Sequence, residues 1–298
     1  MTDAERPPAA WSANGISDPD YRATFAAVPA ILGDWLAGHG GFTGKDILDF
    51  GCGHGTAALS LALHNPTARV VGIDIMPDVD ECRQKAREQI GLEALPANLS
   101  LSRVEPGSLG DPQARYDLIY SWSVFEHVDQ TLLPGIVDQL RRALKPSGLM
   151  LVQIAPLYYS SEGAHLMAWV PERWGHLTNQ LNRYSDKLLR ALHGDRAAYD
   201  RLFSTFATLN RVTAPQLVAL IKAGGFEILR DYRTRDEHEL PAELLGVYHE
   251  DALRTNQIVL LARPAAAALA ADRAAHPGPR QPWWRKPLKR LRKANKTG

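Results

Sequence analysis

Cysteine is scarce in this chain. Cys52 and Cys82 are the only two in 298 residues, too few for a disulfide framework and without the spacing of a metal cluster. No metal site is expected, and a reducing, cytoplasmic compartment is the simplest expectation. Long apolar runs are also missing. None reaches the length of a membrane span, and Met1–Pro8 carries charge and proline with no apolar signal core. Acids are absent from Arg280–Gly298, where eight lysines or arginines stand. Against a net charge of +1, that leaves −7 for the rest of the chain, so a basic nucleic-acid face on the folded body is disfavoured.

What is present points to a packed α/β fold. Hydrophobic residues make up 45% of the chain, ample for a sizeable core. The most informative stretch is Asp46–Leu63, DILDFGCGHGTAALSLAL. Ile47, Leu48 and Phe50 form a short apolar run of the kind buried in a parallel sheet, and Thr56–Leu63 is rich in helix formers. Between them stands Gly51-Cys52-Gly53-His54-Gly55. Glycine is wanted where the backbone turns with positive φ and comes close to a ligand. The free N–H groups that open the helix face the same crevice.

Because Asp49 precedes a GxGxG turn, the stretch resembles the first motif, (D/E)xGxGxG, of the class I S-adenosylmethionine-dependent methyltransferases. The resemblance implies a doubly wound, seven-stranded, mostly parallel sheet and S-adenosylmethionine as cofactor. It places Gly51, Cys52, Gly53 and Gly55 behind the methionyl part and Asp49 toward the amino group. Ala68–Ile73 reads as a second strand, and Asp74 at its tip sits where the family keeps a ribose-binding acid. Ile75 follows beside the adenine. Leu99–Val104 is a third strand leading to Glu105, and Tyr116–Ser123 a fourth that carries Ser121; both residues are assigned to the cofactor.

The remaining elements complete one sheet. Pro19–Gly38 and Pro77–Gly91 read as helices, and so does Leu132–Leu144, which Lys145-Pro146-Ser147-Gly148 separates from a strand at Leu149–Ala155. Thr213–Gly225 is another helix, and Phe226–Thr234 with Gln257–Ala262 supply two final strands. The domain plan is therefore a loose N-terminus over residues 1–18 and a catalytic domain over 19–264. Residues 265–298 are an alanine-rich segment and a basic tail. The stretch 156–212 interrupts the sheet with aromatic residues, histidines and arginines, and is expected to form an inserted helical lid.

A hydroxyl acceptor must lose a proton during methyl transfer, so a base is valuable. His127 is the first candidate, with Glu126 orienting it or the substrate; His165 is the second. The segment PLYYSSEGAHLMAW resembles parts of methyltransferases that modify glycans and polysaccharides. Tyr158, Tyr159, Glu162, His165, Trp169 and Trp174 become substrate-side candidates, and a sugar or glycan-precursor hydroxyl the expected acceptor. His176, His193, His238 and His249 are expected at the surface or in caps. A small aromatic or lipid-like metabolite and a cofactor-binding subunit without turnover stay open as alternatives, whereas the acidic body and the absence of an NPPY-type tetrapeptide after Ser121 argue against a nucleic acid acceptor. Trp283, Trp284, Leu288 and Leu291 beside the tail's basic residues suggest peripheral contact with anionic membrane, against the alternative of a solvated tail.

Overall fold

The computed structural model of the protein describes residues 13–110 and 115–275. The readings placed on 1–12 and on the basic segment 276–298 lie outside the described residues. Helix α1, Pro19–Leu36, starts where Asp18 accepts hydrogen bonds from the Asp20 and Tyr21 backbone N–H groups and Pro19 opens the first turn. After it come β1 (Asp46–Phe50), α2 (Thr56–His64), β2 (Arg69–Asp74), α3 (Cys82–Ile90), β3 (Leu99–Arg103), β4 (Tyr116–Trp122), α4 (Leu133–Ala143) and β5 (Leu144–Ile154). Three lid helices follow: α5 (Gly175–Thr178), α6 (Leu181–Ala191) and α7 (Arg196–Ala207). Then come α8 (Ala214–Ala223), β6 (Phe226–Arg235), α9 (Glu250–Arg254), β7 (Thr255–Pro264) and α10 (Ala266–Ala275).

The strands form one sheet in the order β3-β2-β1-β4-β5-β7-β6. Strands β1 to β5 pair in parallel, and β7 runs antiparallel between β5 and β6. This is the doubly wound, seven-stranded sheet the sequence led us to expect. Alternation along each strand feeds two cores. Leu48 and Ile119 pack with Val137, Leu140, Leu217 and Ile221 of α4 and α8, whereas Ile47, Leu118 and Tyr120 pack with Leu32, Leu36 and Leu59 of α1 and α2. Each such side chain, when fully buried, stabilises the fold by ~1.5–3 kcal/mol. Strand order reverses between β1 and β4, which opens a crevice at the carboxyl edge of the sheet.

Two elements depart from expectation. The helix expected over Pro77–Gly91 begins as a 3-10 turn, Pro77–Glu81, because Val79 and Cys82 both turn inward at a three-residue spacing. Strand β5 starts at Leu144 rather than Leu149. Leu144 already pairs with Tyr116, and Lys145–Gly148 form an irregularity before Leu149 pairs with Leu118. Pro146, with no N–H to give, is accommodated in that bulge. The 156–212 segment has its own core of Tyr158, Leu166, Tyr184, Leu188, Phe206 and Leu209. A further cluster of Trp174, Leu240, Leu244 and Leu253 fastens it to the β6–β7 connection.

Candidate active site

The glycine turn is built by backbone hydrogen bonds to β2. Gly51 and Cys52 donate to the Ile73 carbonyl at 2.9 and 3.0 Å, and Gly53 donates to Asp74 Oδ2 at 2.7 Å. All three glycines have left-handed backbone, φ 78°, 52° and 72° at Gly51, Gly53 and Gly55. A Cβ on Gly51 would collide with Val124, and one on Gly55 would press on Leu101, whereas one on Gly53 would point into open space. Helix α2 has no side-chain cap, which leaves its first N–H groups directed at the crevice. Asp74 also accepts from the Met76 N–H at 2.8 Å. Ile75 and Met76 beside it are 45% and 52% exposed.

Asp49 lies buried at the base of this turn, its Oδ2 accepting the Tyr120 hydroxyl at 2.7 Å. Burial pushes its carboxyl up to about 7; the Tyr120 bond opposes that and the Asp74 carboxylate adds to it.

Across the crevice, the lid brings three histidines together. The His127 and His165 rings meet edge to face at 5.4 Å, and His176 packs against Tyr158 at 5.1 Å. His127 Nδ1 lies 2.9 Å from Thr208 Oγ1, whose own proton goes to the Thr205 carbonyl at 2.8 Å. Thr208 therefore accepts, His127 carries its proton on Nδ1, and the Nε2 lone pair is free. His165 and His176 donate from Nε2 to the Pro156 and Tyr158 carbonyls at 3.0 and 2.6 Å. Burial, helped by His165, lowers His127 to about 4; burial lowers His176 to about 4 and lowers His165 as well. All three are neutral near pH 7. Non-glycine residues with left-handed backbone concentrate here too: Ser123, His165, Trp174 and Arg211.

The family model described as "Methyltransferase domain" matches residues 26–230, from within α1 to within β6. The chain belongs to that family. Among curated methyltransferases, a trans-aconitate 2-methyltransferase of Azoarcus sp. (strain BH72) is 31% identical over 130 residues, 43% of this chain and 46% of the relative. A ubiquinone biosynthesis O-methyltransferase of Paraburkholderia xenovorans (strain LB400) is 32% identical over 123 residues, 38% of this chain and 46% of the relative. The chain thus spans about half the length of the curated relatives it matches. Magnesium protoporphyrin IX methyltransferase from Synechocystis PCC 6803, solved with bound S-adenosylhomocysteine, shares the fold with TM-score 0.50 at 17% identity, over 83% of this chain and 85% of that one. The 4+2 cyclase SpnF shares it with TM-score 0.51 at 21% identity, over 84% and 87%. The cyclase marks how little the fold alone says about chemistry.

The cofactor of this methyltransferase class is S-adenosylmethionine, and the crevice fits it. Space stands open at Gly53, the Asp74 carboxylate stands at its edge on the Gly53 N–H, Asp49 lies buried beneath the turn, and exposed Ile75 and Met76 follow Asp74. Cys52 packs its thiol toward Gly72 of β2, and burial raises that thiol far above its usual range, so only its backbone faces the site. Glu105 is exposed on the loop after β3. Ser121 is buried with an unpartnered hydroxyl, on the sheet face opposite Tyr120.

Three expectations about side chains are corrected. Glu126 makes no bond to His127: both its carboxyl oxygens are buried without a partner and burial raises it to about 8, so of the two roles expected for it only that of orienting the substrate is left to test. Trp174 is 1% exposed with its indole N–H on the Leu253 carbonyl, so it packs the lid and offers no face to a substrate. His176 is no surface residue, being enclosed by Tyr158, Tyr184 and Phe206. Sequence reasoning missed Thr208, Asn210 and Arg211. Asn210 donates to the Phe125 and Val128 carbonyls at 2.5 and 2.7 Å, clamping the end of the lid to the turn that carries His127. Their only sequence signal is position at the end of the insertion.

Proposed function

We propose that the chain methylates a hydroxyl oxygen of a small acceptor held beneath the 156–212 lid, with His127 Nε2 as the base. The observation that carries this reading is the hydrogen-bond relay Thr205–Thr208–His127, which frees that lone pair. When bound, S-adenosylmethionine supplies a methyl carbon made electrophilic by its positive sulfur. His127 Nε2 would take the proton of the acceptor hydroxyl as the hydroxyl oxygen receives that methyl group. The glycine turn, Asp49 and Asp74 would hold the cofactor, which would leave as the neutral thioether. The lid excludes water from this step.

A sugar or glycan-precursor hydroxyl is the first acceptor class to test, on the half-buried Tyr159 and exposed Trp169. A small aromatic metabolite is the second reading. It is favoured by relatives named for ubiquinone biosynthesis, and by the burial of Tyr158 and Trp174, which withdraws two aromatic faces a sugar would stack on. We also propose that Arg280–Gly298 makes peripheral contact with anionic membrane.

The deciding experiment is calorimetric titration with S-adenosylmethionine and S-adenosylhomocysteine, followed by turnover on a hydroxyl panel for the wild type and His127→Asn. Binding of both nucleosides is expected, and a kcat loss of ~10²–10⁴ in the variant with cofactor affinity retained. At saturating cofactor, the acid limb of kcat/KM should fall near pH 4 rather than 6.5, since His127 is lowered to about 4. Equal turnover by the variant would remove His127 as base.

A further inference from the structure

Arg211 stands at the junction of lid and crevice in a backbone state that an arginine rarely adopts, φ 63°. Its neighbours hold it there. The Asn210 side chain bonds the Phe125 and Val128 carbonyls and accepts the Val212 N–H at 3.0 Å, and Val212 is buried. The strained residue is thereby fixed to the same turn that carries His127, while its own side chain is exposed. Its guanidinium lies 5.0 Å from the centre of the Tyr158 ring. Tyr158 in turn touches His176, and the Pro156 carbonyl two residues earlier holds His165 against His127.

Two other cations of the lid, Arg173 and Lys187, are already neutralised, and Arg196 lies over the Tyr199 ring; what sets Arg211 apart is its place beside Tyr158 and His176. Arg173 meets Glu162 at 3.3 Å and Asp236 at 3.8 Å, and Lys187 meets Glu172 at 2.6 Å. Arg211 has no carboxylate partner among the described residues. A positive charge pinned beside a group of neutral histidines, over an aromatic face and in reach of solvent, is an arrangement for an incoming anion. Arginine offers a planar pair of N–H donors to a carboxylate or phosphate.

We propose that the acceptor carries an acidic group, carboxylate or phosphate, which Arg211 binds while His127 receives the proton of the reacting hydroxyl. The proposal rests on the methyltransferase reading above and narrows its acceptor class. Arg211 acts as a specificity residue: it selects and orients and does not enter the bond changes.

The test uses two pairs of compounds matched in size that differ in the acid: galacturonate with galactose, and 3,4-dihydroxybenzoate with 3,4-dihydroxybenzamide. Each is titrated into the full chain loaded with S-adenosylhomocysteine, wild type and Arg211→Gln, with inorganic phosphate as a competitor. In at least one pair the acid is expected to bind ~10-fold or more tighter than its neutral partner. The variant should lose that preference, and phosphate should compete with the acid only in the wild type. An unchanged melting transition reports that the variant is folded, and its affinity for S-adenosylhomocysteine is expected to be unchanged. Equal binding within both pairs, no binding by any of the four, or a preference surviving in Arg211→Gln overturns the proposal. So does a loss of S-adenosylhomocysteine affinity in a folded variant, which would assign Arg211 to the cofactor. A wild type that fails to bind S-adenosylhomocysteine sinks the broader function instead, and the acid preference is then read on the free protein.

Discussion

Two buried acids at the carboxyl edge titrate far from their usual range, and each has a measurable consequence. Asp49 is raised to about 7 mainly by burial. A ligand ammonium docking beside it favours the ionised form, so binding below pH 7 must release a proton. Cofactor affinity is therefore expected to rise with pH between 5.5 and 7, by up to ~10-fold per pH unit, a window below the ligand amine's own pKa of about 7.7–8.0. Asp49→Asn should bind more weakly and without that slope; a flat wild-type profile over the window would detach Asp49 from the ammonium. Glu126 is raised to about 8 with no partner for either oxygen. The folded state then holds a proton that the unfolded state has given up above pH 4.5. The stability this contributes is full below pH 4.5 and lost as pH rises through 8. Glu126→Gln, neutral and of the same shape, should flatten the loss of melting temperature between pH 5 and 9, a difference on the order of 2–4 kcal/mol. The lowered histidines act in the opposite sense: what His127 and His176 contribute is present above 6.5 and lost as pH falls toward 4.

At the scale of elements, the glycine turn separates folding from binding. Alanine at Gly51 meets both a left-handed backbone and Val124, whereas alanine at Gly53 meets only the backbone and directs its Cβ into open crevice. Each carries a backbone cost of ~1–2 kcal/mol. Gly53→Ala should melt a few degrees lower and lose most of its S-adenosylhomocysteine affinity, while Gly51→Ala should be the less stable of the two. If Gly53→Ala binds like the wild type, the cofactor does not approach that residue. The turn was legible in the sequence because its reasons are local: apolar alternation, glycines at fixed offsets, an acid at the next strand tip. Thr213 was likewise readable as a cap, and its box with Gln216 is present. The lid chemistry was not. Glu126 and His127 are adjacent in sequence, yet their side chains part, and the true partner of His127 is Thr208, 81 residues on. That contact depends on Asn210 gripping the 125–128 turn, a tertiary arrangement with no period or motif to announce it.

At the scale of the molecule, charge and shape divide the labour between two edges of the sheet. The carboxyl edge holds the glycine turn, the acids and the lid. The opposite edge carries a cleft of about 570 Å³ whose charged groups are paired, Lys145 with Asp117 at 2.7 Å and Arg263 with Glu227 at 2.9 Å, so its size does not make it a reaction centre. No helix among the described residues is long and apolar enough to cross a membrane. The eight basic residues of Arg280–Gly298, set against −7 on the remainder, would draw the chain to an anionic surface while its own body repels that surface. Such attraction weakens steeply once the screening length shrinks to ~10 Å at 0.1 M salt. Full-length chain should therefore co-sediment with phosphatidylserine vesicles at low salt and release by about 0.3 M, and should ignore phosphatidylcholine. A chain lacking 280–298 should bind neither vesicle while keeping its S-adenosylhomocysteine affinity, because the residues assigned to the cofactor all lie between Asp49 and Ser121. Retained vesicle binding after the deletion would move the contact onto the folded body, where exposed Leu245 and Val247 in the β6–β7 connection are the first residues to replace.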